Sequence, residues 1–133
     1  MLPWLVFSFM GTLDLGFSTY ALISLQNAAR VAAIYASSSY VTATETVANP
    51  AGGEACRYAL AEMRNAPNVG SSINTCSSSD PVQLSATLNM PGSDGTLETA
   101  TVSVSYTLQL LAIPAIMPSQ ITITRKVEFP LRG

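Results

Sequence analysis

Residues 1–36 read MLPWLVFSFMGTLDLGFSTYALISLQNAARVAAIYA, and this stretch decides the fold. Asp14 is the one charged residue within positions 1–29. The run exceeds the roughly 20 apolar residues that a bilayer-spanning helix needs. Pro3 falls in the first turn, where its missing N–H has no partner to lose. The pattern predicts one helix from about Leu2 to about Ser38, roughly 55 Å long, whose second half protrudes from a bilayer.

The protruding half is rich in small residues. Ala28, Ala32 and Ala36 follow one another at intervals of four, with Ala29 and Ala33 beside them. Small residues at this spacing let another backbone approach closely. The stripe is therefore expected to contact helices of other subunits, or the protein's own sheet, or both on different faces.

The rest of the chain reads as a small head. Residues 37–53 resemble a linker rich in Ser, Thr, Pro and Gly, and residues 53–67 (GEACRYALAEMRNAP) predict a short helix that ends at Pro67. Apolar and polar residues alternate over 82–90, 100–110 and 121–129, which predicts a three-stranded antiparallel sheet with one buried face. The apolar connection at 108–120 either folds into the head's core or faces a membrane or neighbouring subunit.

These elements predict an α+β protein in two parts. Residues 1–40 form a hydrophobic N-terminal helix that acts as a membrane anchor or filament core, and residues 41–133 form a secreted α+β head. We expect the whole chain to have the architecture of one long helix leading into one small head.

Composition narrows the possible functions. Charged residues make up 11% of the chain, against about 25% in an average domain, and the net charge of −2 leaves no basic field for nucleic acid. The absence of histidine removes the commonest general base and metal ligand. No catalytic or phosphate-binding motif occurs. We therefore expect no enzymatic activity, no cofactor and no metal site.

The two cysteines, Cys56 and Cys76, favour one disulfide in an oxidising compartment. Such a bridge would join the short helix to the loop that leads into the sheet. The alternative is a pair of reduced thiols buried in a cytosolic core, which the hydrophobic N-terminus disfavours.

The carboxylate of Asp14 needs a cation or water beside it, since a charge inside a membrane helix costs roughly 3 kcal/mol. It lies near the interface, or it pairs with a cation of a neighbouring subunit. The α-amino group of Met1 lies about 20 Å away along the helix and Arg30 about 24 Å away, so each reaches Asp14 only in a staggered neighbour. Met1 is the favoured partner, because an unpaired terminal ammonium in an apolar core would be equally costly.

Three features of the first helix appear together in one family. They are Leu2-Pro3 early in an apolar run, the pattern Gly11-x-x-Asp14-x-Gly16, and Gln26-Asn27-Ala28-Ala29-Arg30 before an Ala-rich turn with Tyr35. In order and spacing they resemble the TadE/TadG-like minor pilins of the tight-adherence (Flp-type) pilus system, a branch of the type IV filament superfamily. The resemblance implies a type IV pilin-like fold, membrane insertion before assembly, and a role in pilus assembly or as a filament subunit.

The same resemblance implies a role for Asp14. Type IV pilins usually carry a glutamate at the fifth position, where it neutralises the amino terminus of a neighbour. Leu5 stands at that position here. Asp14 is expected to take the place of that glutamate.

The leading expectation is thus a structural subunit of a type IV (Tad-like) pilus or related filament that associates with itself or with other pilins. It would reside in the inner membrane before assembly and at the cell surface afterwards, without binding nucleic acid. One alternative is a minor pseudopilin that stays in the inner membrane and acts in assembly. Another is a surface adhesin, which the absence of aromatic residues from positions 68–79 and 91–98 disfavours.

Overall fold

The computed structural model of the chain describes residues 1–89, 98–109 and 120–132. Within these ranges it contains the helices α1 (Leu2–Ser37), α2 (Tyr40–Ala48) and α3 (Glu54–Met63), and the strands β1 (Val82–Asn89), β2 (Thr99–Gln109) and β3 (Gln120–Pro130). The predicted α+β architecture, a long apolar helix and a small head with an antiparallel sheet, is confirmed. Most of the apolar connection predicted at 108–120 lies outside the described residues.

The two halves of α1 have different surroundings. Every residue from Leu2 to Leu13 is exposed, and the first fully buried one is Ala21. From there to its end α1 packs against α2, α3, β2 and β3. The boundary predicted at residue 40 therefore does not separate two independently packed parts, because the second half of α1 supplies much of the head's core.

The sheet has the strand order β1-β2-β3, and both pairings are antiparallel. In the central strand β2, Val102, Val104 and Tyr106 are fully buried and alternate with Ser and Thr residues that face away from the core. The edge strand β3 is covered less completely: Ile121 is 37% exposed and Arg125 is exposed. The helices therefore cover one face of the sheet and leave β3 partly open.

The linker predicted at residues 37–53 is wrong, because most of it forms α2. The Ser39 side chain accepts a hydrogen bond from the Thr42 backbone N–H (3.2 Å), and the Thr42 hydroxyl accepts one from the Ser39 N–H (3.1 Å). This reciprocal capping box satisfies the first free donors of the helix. Ala43 and Thr46, each 1% exposed, anchor it to the core. The helix was missed because β-branched residues have low helix propensity and packing here overrides it.

Tyr106 links the sheet to the end of α3. Its side chain is fully buried, and its hydroxyl donates a hydrogen bond to the carbonyl oxygen of Pro67. Burial raises the pKa of Tyr106 to about 12. The unfolded tyrosine ionises near pH 10, so the folded state binds this proton more tightly than the unfolded state does. The resulting stability is complete below about pH 10 and is lost as the pH rises through 12.

We expect Tyr106→Phe to flatten this alkaline loss of stability. At pH 7 the variant should lose about 1 kcal/mol with its hydrogen bond. Between pH 10 and 12 its urea midpoint should fall less steeply than that of the wild type. Tyr40→Phe is the matched control, because Tyr40 is 52% exposed. Equal slopes for the wild type and Tyr106→Phe would contradict this role of Tyr106.

Candidate assembly surface

The first half of α1 is an exposed apolar surface. Its large side chains are turned to solvent over much of their area, as with Trp4 (76%), Phe9 (62%) and Leu15 (71%). The helix is long and apolar enough to cross a bilayer, and an apolar stretch of 18 residues within it is almost entirely uncovered by the rest of the protein. That exposure separates it from the core helix of a soluble protein. A helix of this kind near the N-terminus serves as a membrane anchor or as a signal sequence.

Asp14 lies next to the head, about two turns of α1 before Ala21, the first fully buried residue. At 100° per residue, its side chain falls within about 20° of those of Ala21, Leu25 and Ala32, so it continues the face of α1 that the head covers. It is partly buried and lines a cavity of about 230 Å³. The other lining residues belong to the next turn of α1 and to the ends of α3 and β2: Phe17, Ser18, Asn65, Pro67, Leu108 and Gln109.

Within the part of the chain that the structure describes, no cation lies within 4.0 Å of the Asp14 carboxylate. Across the described ranges, the ion pair found within 4.0 Å is Arg57–Glu54. Arg30 is exposed and lies about 160° around α1 from Asp14, on the opposite face. Met1 is fully exposed at the start of the helix. Neither predicted partner of Asp14 is thus brought to it within the chain.

Arg30 belongs to a second surface, a groove of about 640 Å³ where α1 meets the end of β3. Arg132 lines the same groove, so two positively charged residues border it. Its remaining walls are apolar or carry hydroxyls, from Ile34, Ser37, Ser38, Phe129 and Pro130. Sequence reasoning named Arg30 but missed Arg132, because the proximity of segments about 100 positions apart leaves no local signal.

The alanine stripe is the contact between α1 and its own head. Ala28 and Ala32 are 0% exposed and Ala36 is 1% exposed, all within the head's core. Their small side chains let α3 and the sheet approach α1 closely. The stripe therefore has no surface left for another subunit while the head is docked. The sequence predicted contact with other subunits, with the protein's own sheet, or with both. The structure shows the contact within the chain, and the predicted contact with other subunits is corrected.

The predicted disulfide is present. Cys56 of α3 is bonded to Cys76 of the following loop, with the Cα atoms 5.9 Å apart, and both residues are buried. The loop is also held by the Cys76 N–H, which donates to the Ala51 carbonyl (2.8 Å). Next to it, hydrogen bonds from Ser77 and Thr75 to the Asp80 carboxylate lower the pKa of Asp80. The bridge therefore fixes α3 to the loop that enters β1.

We expect the double variant Cys56→Ser/Cys76→Ser to lose about 3 kcal/mol of unfolding free energy. The bridge closes a loop of 20 residues, and its removal restores the chain entropy of that loop to the unfolded state. Urea unfolding with and without reducing agent measures the effect. Reduction should destabilise the wild type to a similar extent and leave the variant unchanged. A wild type that is insensitive to reduction would contradict this role of the bridge.

These features define an α+β protein whose apolar N-terminal helix is half core and half exposed surface. Compared with models of known protein families, with curated proteins and with solved structures, the chain gives no match. Its own surfaces are therefore what indicates its function.

Proposed function

We propose that this protein is a structural subunit of a type IV (Tad-like) pilus or related extracellular filament, and that it assembles through α1. The observation that carries the proposal is the division of α1 into two halves. The second half is bound into the head by its buried residues, of which Ala21 is the first, and the first half presents apolar side chains to solvent. A contiguous apolar surface of this size marks a membrane or protein contact.

The exposed half has the dimensions of a bilayer core. From Leu2 to Tyr20 it is roughly 28 Å long, close to the hydrocarbon thickness of about 30 Å. Before assembly it spans the membrane, with Asp14 directed toward the underside of the head. On assembly, equivalent helices of other subunits replace the lipid around it.

The head suits the cell surface. Its disulfide is of the kind that persists in oxidising compartments. The exposed face of the sheet carries hydroxyls in register, including Ser105 with Thr124 (2.9 Å) and Thr107 with Thr122 (3.3 Å). The resemblance of the first helix to TadE/TadG-like minor pilins supports the same function.

Membrane fractionation followed by detergent removal tests the proposal. We expect the full chain to remain with the membrane after alkaline extraction, and to form large sedimenting assemblies when detergent is withdrawn from the purified protein. A membrane-bound chain that stays monomeric would favour the minor pseudopilin that acts only in assembly. A secreted protein whose intact mass shows that the exposed half of α1 has been cleaved off would identify α1 as a signal sequence and contradict the proposal.

A further inference from the structure

We propose that the cavity beside Asp14 binds the primary ammonium headgroup of a membrane phospholipid, of the phosphatidylethanolamine class. We name this site the headgroup cavity and define it by the residues Asp14, Phe17, Ser18, Asn65, Leu108 and Gln109, which line it. The inference rests on the function proposed above in one respect, namely that α1 spans a membrane before assembly. It adds the lipid that the anchored chain holds.

The lipid-facing part of α1 differs in length on its two sides. On the side away from the head it reaches Tyr20, which is 43% exposed and lies roughly 28 Å along the helix. On the side of the head it ends at Leu13, after roughly 18 Å, because the next residue, Asp14, already lines the headgroup cavity. Tyrosine is enriched where membrane meets water. With Tyr20 at that level, the cavity lies about 9 Å deeper, within the leaflet that adjoins the head.

The shorter side of α1 brings lipid headgroups to the cavity. It falls well short of the hydrocarbon core of a bilayer, which is about 30 Å thick. A membrane accommodates such a mismatch by thinning locally, so that its headgroups move toward the protein. Asn65 and Gln109 are exposed polar residues that line the cavity, and headgroups satisfy them better than acyl chains do. The headgroup cavity therefore opens to the headgroup layer of the membrane.

The carboxylate of Asp14 supplies the negative charge of the site. All six Lys and Arg residues of the chain lie within the described ranges, and neither they nor the α-amino group of Met1 come within 4.0 Å of this carboxylate. Asp14 is partly buried, and a charge at such a depth costs roughly 3 kcal/mol on insertion scales. A lipid ammonium offsets that cost, because the membrane itself delivers the positive charge to the cavity.

The other lining residues suit the rest of the headgroup. The side-chain amides of Asn65 and Gln109 carry N–H donors for phosphate oxygens. The Ser18 hydroxyl donates to the Asp14 carbonyl oxygen (2.7 Å), so its own oxygen can still accept a hydrogen bond. Phe17, 46% exposed, offers apolar contact to the acyl part of the lipid. The volume of about 230 Å³ far exceeds the roughly 15 Å³ that one water requires, which leaves room for a small headgroup.

The chemistry of the cavity selects among phospholipids. A primary ammonium donates up to three hydrogen bonds, and those it makes to a carboxylate are charge-assisted. The trimethylated ammonium of phosphatidylcholine has no N–H to donate. Phosphatidylglycerol has no positive charge at all, so its phosphate would meet the Asp14 carboxylate without compensation. The headgroup cavity therefore favours phosphatidylethanolamine over both.

Lipid retention by the full chain tests this selection. The protein is reconstituted into vesicles with equal amounts of the three phospholipids, extracted in mild detergent, and weighed intact by mass spectrometry. We expect the wild type to retain phosphatidylethanolamine in preference to the other two. Asp14→Asn should retain about tenfold less of it, because the charge-assisted hydrogen bonds are lost. Glu62→Gln is the matched control, since it removes an exposed carboxylate of α3 and should retain as much as the wild type.

Carbodiimide coupling locates the lipid amine. A membrane-permeable carbodiimide activates a carboxyl group, and an adjacent primary amine then forms an amide with it while the urea leaves. In phosphatidylethanolamine vesicles, we expect the peptide that contains Asp14 to gain the mass of the lipid less one water. In phosphatidylglycerol vesicles with phosphoethanolamine free in solution, we expect no adduct at Asp14. An equal adduct there would show that the cavity takes a soluble amine, which would overturn the assignment to a lipid.

The remaining outcomes separate the site from the function on which it rests. A wild type that stays with the membrane after alkaline extraction, yet retains no more phosphatidylethanolamine than Asp14→Asn does, would overturn the headgroup cavity and leave the filament proposal standing. Coupling of Asp14 to the α-amino group of Met1 in a second copy would overturn it in favour of a contact between subunits. A wild type that the membrane does not hold would overturn both proposals.

Discussion

Ala32→Phe should unfold or severely loosen the head, with a loss of about 3 kcal/mol or more in unfolding free energy. Ala32 is 0% exposed at the centre of the stripe where α1 meets the rest of the core. A benzyl group has no space there, because the neighbouring Ala28 and Ala36 hold α1 close to the elements packed on it. If the stripe instead contacted other subunits, the alternative that the sequence left open, the same change would block assembly and leave the head folded.

Urea unfolding of the purified variant measures this loss, with Ala61→Phe as the matched control. Ala61 is exposed on α3, so the same enlargement should change the unfolding free energy by about 0.5 kcal/mol or less. If Ala32→Phe unfolds at the wild-type midpoint but no longer assembles, the stripe contacts another subunit and its placement in the core is wrong.

Phe9→Lys/Leu13→Lys should remove the protein from the membrane and abolish its assembly. Phe9 is 62% exposed and Leu13 is 41% exposed, near the middle of the free half of α1. Each lysine at such a depth costs about 3 kcal/mol on insertion scales, before any loss of apolar contact. The head should keep its unfolding midpoint, because neither side chain belongs to its core.

The control for this change adds the same two charges elsewhere. Ser85 and Thr87 are exposed on β1, so Ser85→Lys/Thr87→Lys should leave membrane extraction and sedimentation as in the wild type. Normal extraction of Phe9→Lys/Leu13→Lys with the membrane would mean that the free half of α1 is not what holds the protein there.

Local patterns were sufficient to predict most of the elements. The apolar run with Pro3 in its first turn predicted α1, and Pro67 marked the end of the segment that contains α3. Alternation of period two placed β1, β2 and β3 to within one residue over the described range. Each of these signals depends on spacing within one segment, which the sequence displays directly.

What the sequence could not show depends on contacts between distant segments. The sequence did contain a signal for α2, the capping pair Ser39 and Thr42. The Val and Thr residues that follow have low helix propensity and argue against a helix. The helix forms because Ala43 and Thr46 are buried. The alanine stripe was recognised from its spacing, but only the tertiary packing shows that it contacts the head of its own chain. Likewise, Arg132 joins Arg30 only because β3 ends beside α1.

Electron microscopy of the purified full-length protein after detergent removal tests the central claim most directly. The predicted result is a helical filament in which the first halves of α1 lie together at the centre and the heads form the outer layer. Dispersed single particles, or an ordered assembly whose heads meet while the first halves of α1 remain outside the contacts, would contradict it.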